Sequence, residues 1–572
     1  MTAMEEYRRW LASDRLTEAE RRELEAIADE PNEIRERFFA PLEFGTAGLR
    51  GIMGPGIRRM NGHIVRQATR ALAGRILEQG GDWARRGAVV CYDCRNHSRE
   101  YAREAACVLA AAGVRVLLFP QLRPTPELSF AIRYHGAAAG LNITASHNPK
   151  EYNGYKVYWA DGAQMPPEQA ELVAKAMAEI DPLGEIPTAD YEQALACGQI
   201  TLLGEETDEA FLSQVLAQSL HPGAAEQAGL KIVYTPFYGA GAKLVPQAMT
   251  RLGVKHLLCV EEQMMPDGDF PTAKNPNPEA EVGFERALEL AKRERADLII
   301  GTDPDSDRLG LMVPDGAGSY RLLSGNQVGA LFLDYLLQGR KDAGTLPENA
   351  VALKSIVSSE MARAVAEAAG VDMEDTFTGF KFLAEKMKEY ENGEKTVLFA
   401  YEEAIGYAFG TFVRDKDAVT ASVMAAEMAS HYALQGKTLL QRLEELYQLH
   451  GYYAERTVSL VMPGIDGLER MQALMARLRN EPPREIGGRR VECLRDYQSG
   501  IARRRDGGEE ALALQGSNVL YFLLEGDARL AIRPSGTEPK VKAYLMVRCG
   551  SHAESGALLD ALEAWTRTLA DG

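Results

Sequence analysis

The sequence predicts three α/β segments followed by a C-terminal α+β segment, and three observations support this fold class. Short apolar runs of β type alternate with helical stretches as far as about residue 450. From about Tyr452 the regular alternation stops, and the expected strands are longer and mixed with helices. The chain's 572 residues also exceed what a single hydrophobic core holds. We therefore expect several α/β domains and one α+β domain.

The first α/β segment follows a helical lead-in of about 40 residues. Thr17 and Glu20 form a capping-box pattern, which predicts a helix start, and we expect Pro31 to end that helix. Strands and helices then alternate in the order of a mostly parallel sheet. The expected strands are 88–92, 115–119 and 140–145, and the expected helices are 98–112 and 127–135.

The second and third segments continue the same alternation of strands and helices, and the last segment has the longer strands described above. In the second segment we expect strands 231–236, 255–260 and 297–301, a helix 241–252 and a helix ending near 296. In the third we expect strands 350–357 and 396–401 and helices 327–337, 359–369, 380–390, 418–434 and 439–450. In the last we expect strands 455–462 and 541–547, a hairpin around 525–527, a helix 467–479 and a helix from 554.

Charge and composition exclude several classes of function. The formal net charge is -18, which argues against a protein held on nucleic acid or anionic lipid by a general positive field. No apolar run is long enough to span a membrane, and the N-terminus carries charges where a signal peptide has an apolar core, so we expect a cytoplasmic protein. The seven cysteines are scattered along the chain, which argues against a disulfide framework. For the pair Cys91 and Cys94 we favour packing at a strand end over metal binding or redox chemistry.

A serine-containing loop follows the third predicted strand. Ser146 stands at the carboxyl end of a strand expected to be parallel, where open α/β sheets bind ligands. His147 and Lys156 lie in the same segment and can assist a phosphate group. The alternative is an ordinary turn, which Ser, Asn and Pro favour.

An acidic loop follows the strand expected at 297–301. Asp303, Asp305 and Asp307 occupy alternate positions, and their carboxylates can converge on one hard cation. Three clustered negative charges are costly without such a cation. A solvated acidic turn is the alternative, but the position directly after an apolar strand favours a metal site.

Two further loops carry polar groups suited to a sugar and to a phosphate. Glu402 and Glu403 follow a strand and suit hydrogen bonding to vicinal hydroxyls, although exposed Glu pairs are common. Thr378, Gly379, Lys381 and Lys416 belong to the same region. Near the C-terminus, cationic side chains, hydroxyls and a glycine suit phosphate binding, with a polar turn as the alternative; these residues are Arg533, Ser535, Gly536, Thr537 and Lys540.

The four loops together combine a hydroxyl nucleophile, a metal triad, a polyol-binding pair and a phosphate cradle, which indicates phosphoryl transfer on a phosphosugar. At this point the sequence resembles the α-D-phosphohexomutases, the phosphoglucomutase/phosphomannomutase superfamily. The resemblance rests on 144–156, 301–308, 401–406 and 533–540, in the family's usual order and spacing. It spans nearly the whole chain.

The resemblance implies three related mixed α/β sandwich domains and a C-terminal α+β domain around a central cleft. The expected boundaries are 1–210, 211–320, 321–450 and 451–572. It also implies that Ser146 is phosphorylated in the active enzyme and that the three aspartates hold Mg²⁺ together with a phosphoserine oxygen. Phosphoserine 146 would donate its group to the 6-hydroxyl of glucose 1-phosphate, and glucose 1,6-bisphosphate would then return its 1-phosphate to Ser146.

The resemblance also implies roles for the remaining residues. Those expected at the reacting end are Arg50, His147, Lys156, Arg308 and Lys381. Of these, His147, Lys156 and Lys381 are all candidates for the general acid or base, and sequence does not rank them. Glu402 and Glu403 would bind the sugar hydroxyls in both orientations of the substrate, while the Arg533 loop would hold the phosphate that is not reacting.

The sugar-binding loop also bears on the choice of substrate. Glu402-Glu403-Ala404-Ile405-Gly406 resembles the branch with bacterial phosphoglucomutases of this length and vertebrate phosphopentomutases. We therefore expect glucose phosphates first, with pentose or mannose phosphates as alternatives on the same scaffold. A Mg²⁺-dependent sugar phosphatase is the alternative from another class. The expected partner is a small phosphosugar, and the sequence gives no oligomeric state.

Overall fold

The computed structural model describes residues 2–45, 48–462, 467–535 and 540–570. The described chain begins with three helices, α1 (Ala3–Leu11), α2 (Glu18–Ala26) and α3 (Pro31–Phe38). The predicted capping box is present, because Thr17 accepts from the Glu20 amide and the Glu20 side chain accepts from the Thr17 amide. The expectation for Pro31 was wrong: α2 ends before it, and Pro31 occupies the first turn of α3, where its missing N–H costs nothing.

The first α/β layer is a six-stranded sheet in the order β1-β5-β4-β2-β3-β6. Its strands are β1 (Leu49–Ile52), β2 (Ala88–Tyr92), β3 (Val116–Leu118), β4 (Ala139–Ile143), β5 (Tyr152–Trp159) and β6 (Ile200–Leu202). Its helices are α4 (Gly62–Glu78), α5 (Trp83–Arg86), α6 (Ser98–Ala111), α7 (Thr125–Tyr134), α8 (Pro167–Ala178) and α9 (Tyr191–Ala196).

This sheet is parallel in its centre and antiparallel at one side. β2 pairs in parallel with β3 and β4, whereas β5 runs antiparallel to both β4 and β1. β2 is buried along its whole length, as expected for a strand covered on both faces. β1 and β5 were not among the predicted strands. β5 matters for the site because its pairing with β4 places Lys156 opposite Asn142, near the carboxyl end of β4.

The second α/β layer is a five-stranded sheet in the order β11-β10-β9-β7-β8. Its strands are β7 (Lys231–Thr235), β8 (His256–Cys259), β9 (Leu298–Thr302), β10 (Leu309–Pro314) and β11 (Tyr320–Leu322). Its helices are α10 (Glu205–Leu216), α11 (Ala224–Ala228), α12 (Gly241–Leu252) and α13 (Glu285–Glu294), with short 3₁₀ turns at Glu261–Gln263 and Glu281–Phe284. β9 and β10 are antiparallel, so the chain reverses between them, and that reversal holds the acidic loop.

The third segment contains two strand pairs and five helices. Its elements are α14 (Gly325–Asp342), β12 (Ala350–Ser355), α15 (Glu360–Ala368), β13 (Asp372–Thr376), α16 (Phe380–Glu389), a 3₁₀ turn (Tyr390–Asn392), β14 (Thr396–Glu402), β15 (Gly406–Phe409), α17 (Ala418–Leu434) and α18 (Leu439–His450). β12 and β13 are parallel, whereas β14 and β15 form an antiparallel hairpin. α17 is buried almost all round, which its Ala- and Met-rich sequence allows.

The C-terminal segment is an antiparallel sheet covered by helices. Its elements are β16 (Tyr452–Val461), α19 (Gly467–Asn480), β17 (Glu485–Ile486), β18 (Arg489–Asp496), β19 (Ile501–Arg504), β20 (Glu509–Ala511), β21 (Leu520–Leu524), β22 (Ala528–Pro534), β23 (Lys540–Cys549), α20 (His552–Arg567) and a 3₁₀ turn (Thr568–Ala570). The strand order is β16-β23-β22-β21-β18-β19-β20, and β17 pairs with β18. The predicted hairpin around Glu525 is the turn between β21 and β22.

The chain divides into two compact units. One contains Met1–Val328 and Leu383–Lys437, and the other contains Gly329–Phe382 and Thr438–Gly572. Each unit is described by itself below. Within the described part of the chain, none of the helices combines the length and apolar character that crossing a membrane requires.

Candidate active site

The acidic loop between β9 and β10 gathers three buried carboxylates. Asp303, Asp305 and Asp307 each offer an oxygen, and these oxygens all lie within 4.8 Å of one another. The loop is tightened by its own backbone, because the amides of Asp307 and Arg308 donate to Asp303 Oδ1 at 3.0 and 2.9 Å. The carboxylates therefore converge as the alternating spacing predicts.

The charge of this cluster needs compensation. Burial and the nearby carboxylates of Asp305 and Asp307 raise the pKa of Asp303 well above its ordinary value. Among the described residues, Oδ1 of Asp305 and Oδ1 of Asp307 are buried without a hydrogen-bond partner. Oxygen ligands of this number and charge fit a hard divalent cation, so the residues present suit a metal such as Mg²⁺.

Two buried lysines face the same carboxylates. Lys156 Nζ, on β5, lies 2.7 Å from Asp305 Oδ2 and 3.5 Å from Asp307 Oδ2. Lys416 Nζ lies 3.2 Å from Asp307 Oδ2 and 3.0 Å from Asp415 Oδ1. Burial by itself lowers the pKa of a lysine, but the attraction of these aspartates outweighs it and raises the pKa of both amines. Both lysines are therefore cationic at neutral pH.

Ser146 stands against this cluster in a constrained backbone conformation. Its Oγ donates to Asp303 Oδ2 at 2.8 Å, and its φ of 54° lies in the left-handed region that non-glycine residues seldom adopt. The Ser146 amide donates to Thr144 Oγ1 at 2.8 Å. The Ser146 side chain is buried, and its hydroxyl contacts Asp303, which is one of the three candidate metal ligands. The structure therefore brings the Ser146 hydroxyl and the aspartate cluster together.

His147 and Arg50 border the Ser146 loop. His147 Nδ1 lies 3.2 Å from Ser146 Oγ. Burial and the positive charges of Arg308 and Arg50 lower the pKa of His147 well below its ordinary value, which favours the neutral imidazole. Arg50, on β1, donates from Nη1 to Asn148 Oδ1 at 3.2 Å. The structure thus brings together the residues that the sequence placed at the reacting end in this unit.

The sugar-binding loop lies beside the acidic loop. Glu402 ends β14 and is nearly buried, and Glu403 is half-buried in the turn that follows. The Leu309 amide donates to Ile405 O at 3.1 Å, and Arg308 forms an isolated β-bridge with Gly406. These backbone contacts fix the Glu402 loop next to Arg308 and the aspartates.

Sequence reasoning missed the residues that support Asp305. Thr125, at the start of α7, donates from Oγ1 to Asp305 Oδ2 at 2.8 Å and from its amide to Asp305 O at 2.8 Å. Asn142 of β4 in turn donates from Nδ2 to Thr125 Oγ1 at 2.8 Å. No local pattern marks these residues, since they lie far from the acidic loop along the chain. They orient a candidate metal ligand from another sheet.

The remaining predicted residues lie in the other compact unit. Thr378, Gly379 and Lys381 form the turn into α16, where Gly379 has a φ of 121°. Arg533 lies near the end of β22 and Lys540 begins β23, and the Ser535 amide donates to Lys540 O at 2.8 Å. The predictions for Gly536 and Thr537 fall outside the described residues.

Cys91 behaves as a packing residue. It is buried on β2, and its Sγ donates to Arg123 O at 3.2 Å. Burial raises the pKa of its thiol, which keeps the sulfur protonated and unreactive. All seven cysteines are free thiols.

Comparison with known proteins places this site in a family. Three family models match in chain order: phosphoglucomutase/phosphomannomutase alpha/beta/alpha domain I over residues 41–183, domain II over 209–316 and domain III over 324–450. A phosphoglucomutase of Staphylococcus aureus (strain bovine RF122 / ET3-1) is 35% identical over 533 residues, covering 93% of this chain and 94% of its own. A phosphoglucomutase of strain MRSA252 is 36% identical over 520 residues, covering 90% and 91%.

Solved structures share the fold. A phosphoglucomutase/phosphomannomutase family protein from Burkholderia thailandensis has 19% identity and a TM-score of 0.67, with 93% of this chain and 97% of that chain covered. The open form of pp63/parafusin, a phosphoglucomutase from Paramecium, has 16% identity and a TM-score of 0.69, with 93% and 95% covered. These matches confirm the predicted fold class, and the similar sequences confirm the predicted enzyme class. The chain therefore belongs to the phosphoglucomutase/phosphomannomutase family of phosphosugar mutases.

Proposed function

We propose that this enzyme interconverts glucose 1-phosphate and glucose 6-phosphate, with Ser146 as the phosphate carrier. The observation that carries the proposal is the contact of Ser146 Oγ with Asp303 Oδ2 at 2.8 Å, inside a cluster of three buried aspartates. The named relatives from Staphylococcus aureus, which are phosphoglucomutases, support glucose as the sugar.

The metal in this proposal is Mg²⁺, held by Asp303, Asp305 and Asp307 with an oxygen of phosphorylated Ser146. When bound, it would neutralise negative charge on the phosphoryl group in transfer. Lys156 and Lys416 already lie at the same carboxylates, so they would add positive charge beside the transferred group.

The reaction is two phosphoryl transfers in opposite directions. In the first, the bond from phosphorus to Ser146 Oγ breaks, a bond from phosphorus to the sugar 6-oxygen forms, and the hydroxyl proton passes to a protein side chain. The product of this step is glucose 1,6-bisphosphate, which turns over before its 1-phosphoryl group returns to Ser146. Of the three candidate proton carriers, neutral His147 suits acceptance of the 6-hydroxyl proton, and cationic Lys156 suits donation of a proton to the 1-oxygen released in the return transfer. Lys381 stays a candidate for either role. Added glucose 1,6-bisphosphate would prime unphosphorylated enzyme.

Other loops would hold the substrate while it turns. Glu402 and Glu403 would accept hydrogen bonds from the sugar hydroxyls, and the further substrate contacts would come from Arg308, Thr378, Gly379 and Lys416. The phosphate that is not reacting would be bound by Arg533, Ser535, Gly536, Thr537 and Lys540. We propose Arg50 as a further residue at the reacting end, because it already holds Asn148 of the Ser146 loop.

The four-domain division at 1–210, 211–320, 321–450 and 451–572 is part of this proposal, since each domain holds one of the four loops. The cytoplasmic location and the absence of nucleic-acid and membrane partners stay predictions from the sequence.

The test is a coupled assay of glucose 6-phosphate formation from glucose 1-phosphate, with Mg²⁺ and a trace of glucose 1,6-bisphosphate. Ser146→Ala is expected to lose essentially all turnover. Ser430→Ala is a matched control, because that buried hydroxyl donates only to Ala426 O of its own helix at 2.8 Å. Wild-type rates in Ser146→Ala would refute the role of Ser146.

The same assay distinguishes the alternatives. Faster isomerisation of ribose 1-phosphate or mannose 1-phosphate than of glucose 1-phosphate would replace glucose as the substrate. Release of inorganic phosphate in amounts equal to the glucose 1-phosphate consumed would indicate a sugar phosphatase instead.

A further inference from the structure

One buried guanidinium holds the loop that carries Ser146. Arg95 follows β2 and its side chain is fully buried. Its Nη1 donates to the carbonyl oxygens of Pro149 and Tyr152 at 2.9 and 3.0 Å. Its Nη2 donates to Ser146 O at 2.6 Å and also to Asn148 O. One side chain therefore binds four backbone carbonyls of residues 146–152.

The same side chain is itself oriented from two sides. Asp93 Oδ2 lies 3.4 Å from Arg95 Nε, and Asp93 Oδ1 accepts from the Arg95 amide at 2.9 Å and from Ser98 Oγ at 2.7 Å. The ring of Phe270, from the second α/β layer, lies 5.3 Å from the guanidinium carbon. The four N–H groups on Nη1 and Nη2 therefore all donate to carbonyl oxygens. Nε makes no hydrogen bond within the described part of the chain, so its interaction with Asp93 is the ion pair alone.

These contacts act on the backbone around the reacting hydroxyl. Ser146 has a left-handed φ of 54°, and such a conformation persists only where the surroundings impose it. Arg95 binds the carbonyl of Ser146 itself, and the same loop leads into β5, which carries Lys156. Moving the loop would therefore displace both the hydroxyl and the amine that face the aspartate cluster.

We propose that Arg95 is a positioning residue for phosphoryl transfer. It fixes the Ser146 loop so that Ser146 Oγ stays in contact with the aspartate cluster. This inference rests on the proposed role of Ser146 as the phosphate carrier. A loose loop would leave sugar binding to the other loops intact but would misplace the reacting atom. Misplacement of about 1 Å costs about 100-fold in rate.

Arg95→Lys tests the proposal, because lysine keeps the charge but cannot supply a planar fork to four carbonyls. We expect kcat for glucose 1-phosphate to fall about 100-fold while KM stays nearly unchanged. We also expect phosphorylated Arg95→Lys enzyme to lose phosphate to water faster than wild type, because the phosphoserine is no longer held against its acceptor. A residue that only stabilised the fold would change neither the split between kcat and KM nor this hydrolysis.

The matched control is Arg123→Lys. Arg123 is also buried, and its side chain donates to Asp208 at 2.9 and 3.0 Å and to Leu122 O at 2.9 Å rather than to the carbonyls of residues 146–152. We expect its melting temperature to fall at least as far as that of Arg95→Lys, with kcat close to the wild-type value. If kcat of Arg95→Lys also stays at the wild-type value, or falls only in step with the melting temperature as in the control, the proposal is overturned.

If Arg95→Lys does not fold, Asp93→Asn tests the positioning role of Arg95 instead. Asp93→Asn leaves the guanidinium in place and removes only the charge facing Nε, and we expect about a 10-fold fall in kcat. A folded Asp93→Asn enzyme with wild-type kcat then overturns the proposal. If the wild-type protein isomerises no phosphosugar, the proposed function fails and this inference with it. An active wild type with an unaffected Arg95→Lys overturns the inference alone.

Discussion

Gly406→Ala is predicted to impair phosphoryl transfer by displacing Lys416, without changing any of the three aspartates. A methyl group at Gly406 would lie 2.2 Å from Cδ and 2.7 Å from Cγ of Lys416. Carbon atoms pack best at about 3.5–4.0 Å, so the Lys416 side chain has to move by more than about 1 Å. That movement breaks the contacts of Lys416 Nζ with Asp307 at 3.2 Å and with Asp415 at 3.0 Å.

The magnitude follows from the burial of these charges. Removing one partner of a buried ion pair costs about 3–5 kcal/mol of folding stability. A displaced lysine retains part of the attraction, so we expect the free energy of unfolding to fall by about 2–3 kcal/mol. We expect the displaced cation to withdraw a similar ~2–3 kcal/mol from the transition state beside the transferred phosphoryl group. At about 1.4 kcal/mol for each factor of ten, kcat/KM should then fall about 30- to 140-fold. The measurement is kcat/KM for glucose 1-phosphate as a function of Mg²⁺ concentration.

Gly74→Ala is the matched control. Gly74 lies within α4, and a methyl group there meets no atom within 4 Å. Alanine in a helix interior stabilises by about 1 kcal/mol relative to glycine, so this variant should keep wild-type activity. Wild-type kcat/KM in Gly406→Ala would refute the reasoning, because it would show that Lys416 is not needed at the aspartates or is not displaced.

Two further predictions concern the support of the site and of the N-terminal helices. Thr125→Val removes the hydroxyl that donates to Asp305 Oδ2 at 2.8 Å, so Mg²⁺ affinity measured by calorimetry should weaken about 10- to 100-fold, and unchanged affinity would contradict this. Burial alone raises the pKa of Glu20, but its interactions with His63 and Thr17 outweigh burial and lower the pKa to about 2. This carboxylate therefore contributes stability fully above its ordinary pKa of 4.5 and loses it as pH falls towards 2. Hydrogen exchange of α2 should be faster in Glu20→Gln than in wild type at neutral pH, with the difference shrinking on acidification; a constant difference would exclude this linkage.

Elements with a strong local pattern could be predicted from the sequence. β2, α12, α17 and α18 begin and end at the predicted residues, because continuous apolar runs or helical periodicity are bounded by caps and glycines. β5 was missed because its start, at Tyr152, follows a Ser-, Asn- and Pro-rich stretch typical of a turn. Its strand character comes from pairing with β4 and β1, which is a tertiary effect.

The candidate site likewise combines residues that a local sequence pattern predicts with residues that only the folded chain brings together. The aspartate triad could be predicted because its three carboxylates alternate within five residues after a buried strand. The contacts of Arg95 with the Ser146 loop and of Thr125 with Asp305 join residues about 50 and 180 positions apart. The Asp93-x-Arg95 pattern is visible in the sequence, but nothing local indicates which carbonyls the arginine binds. Such supporting contacts depend on the assembled sheets.

The most direct test of the central claim follows a labelled phosphoryl group through a single turnover. Enzyme carrying a radiolabelled phosphate on Ser146 is mixed with unlabelled glucose 1-phosphate and Mg²⁺ and then stopped at successive times. Our account predicts that the label leaves the protein, passes into glucose 1,6-bisphosphate and is recovered at the 6-position of glucose 6-phosphate. Label that remains on Ser146 while glucose 6-phosphate accumulates would contradict the account.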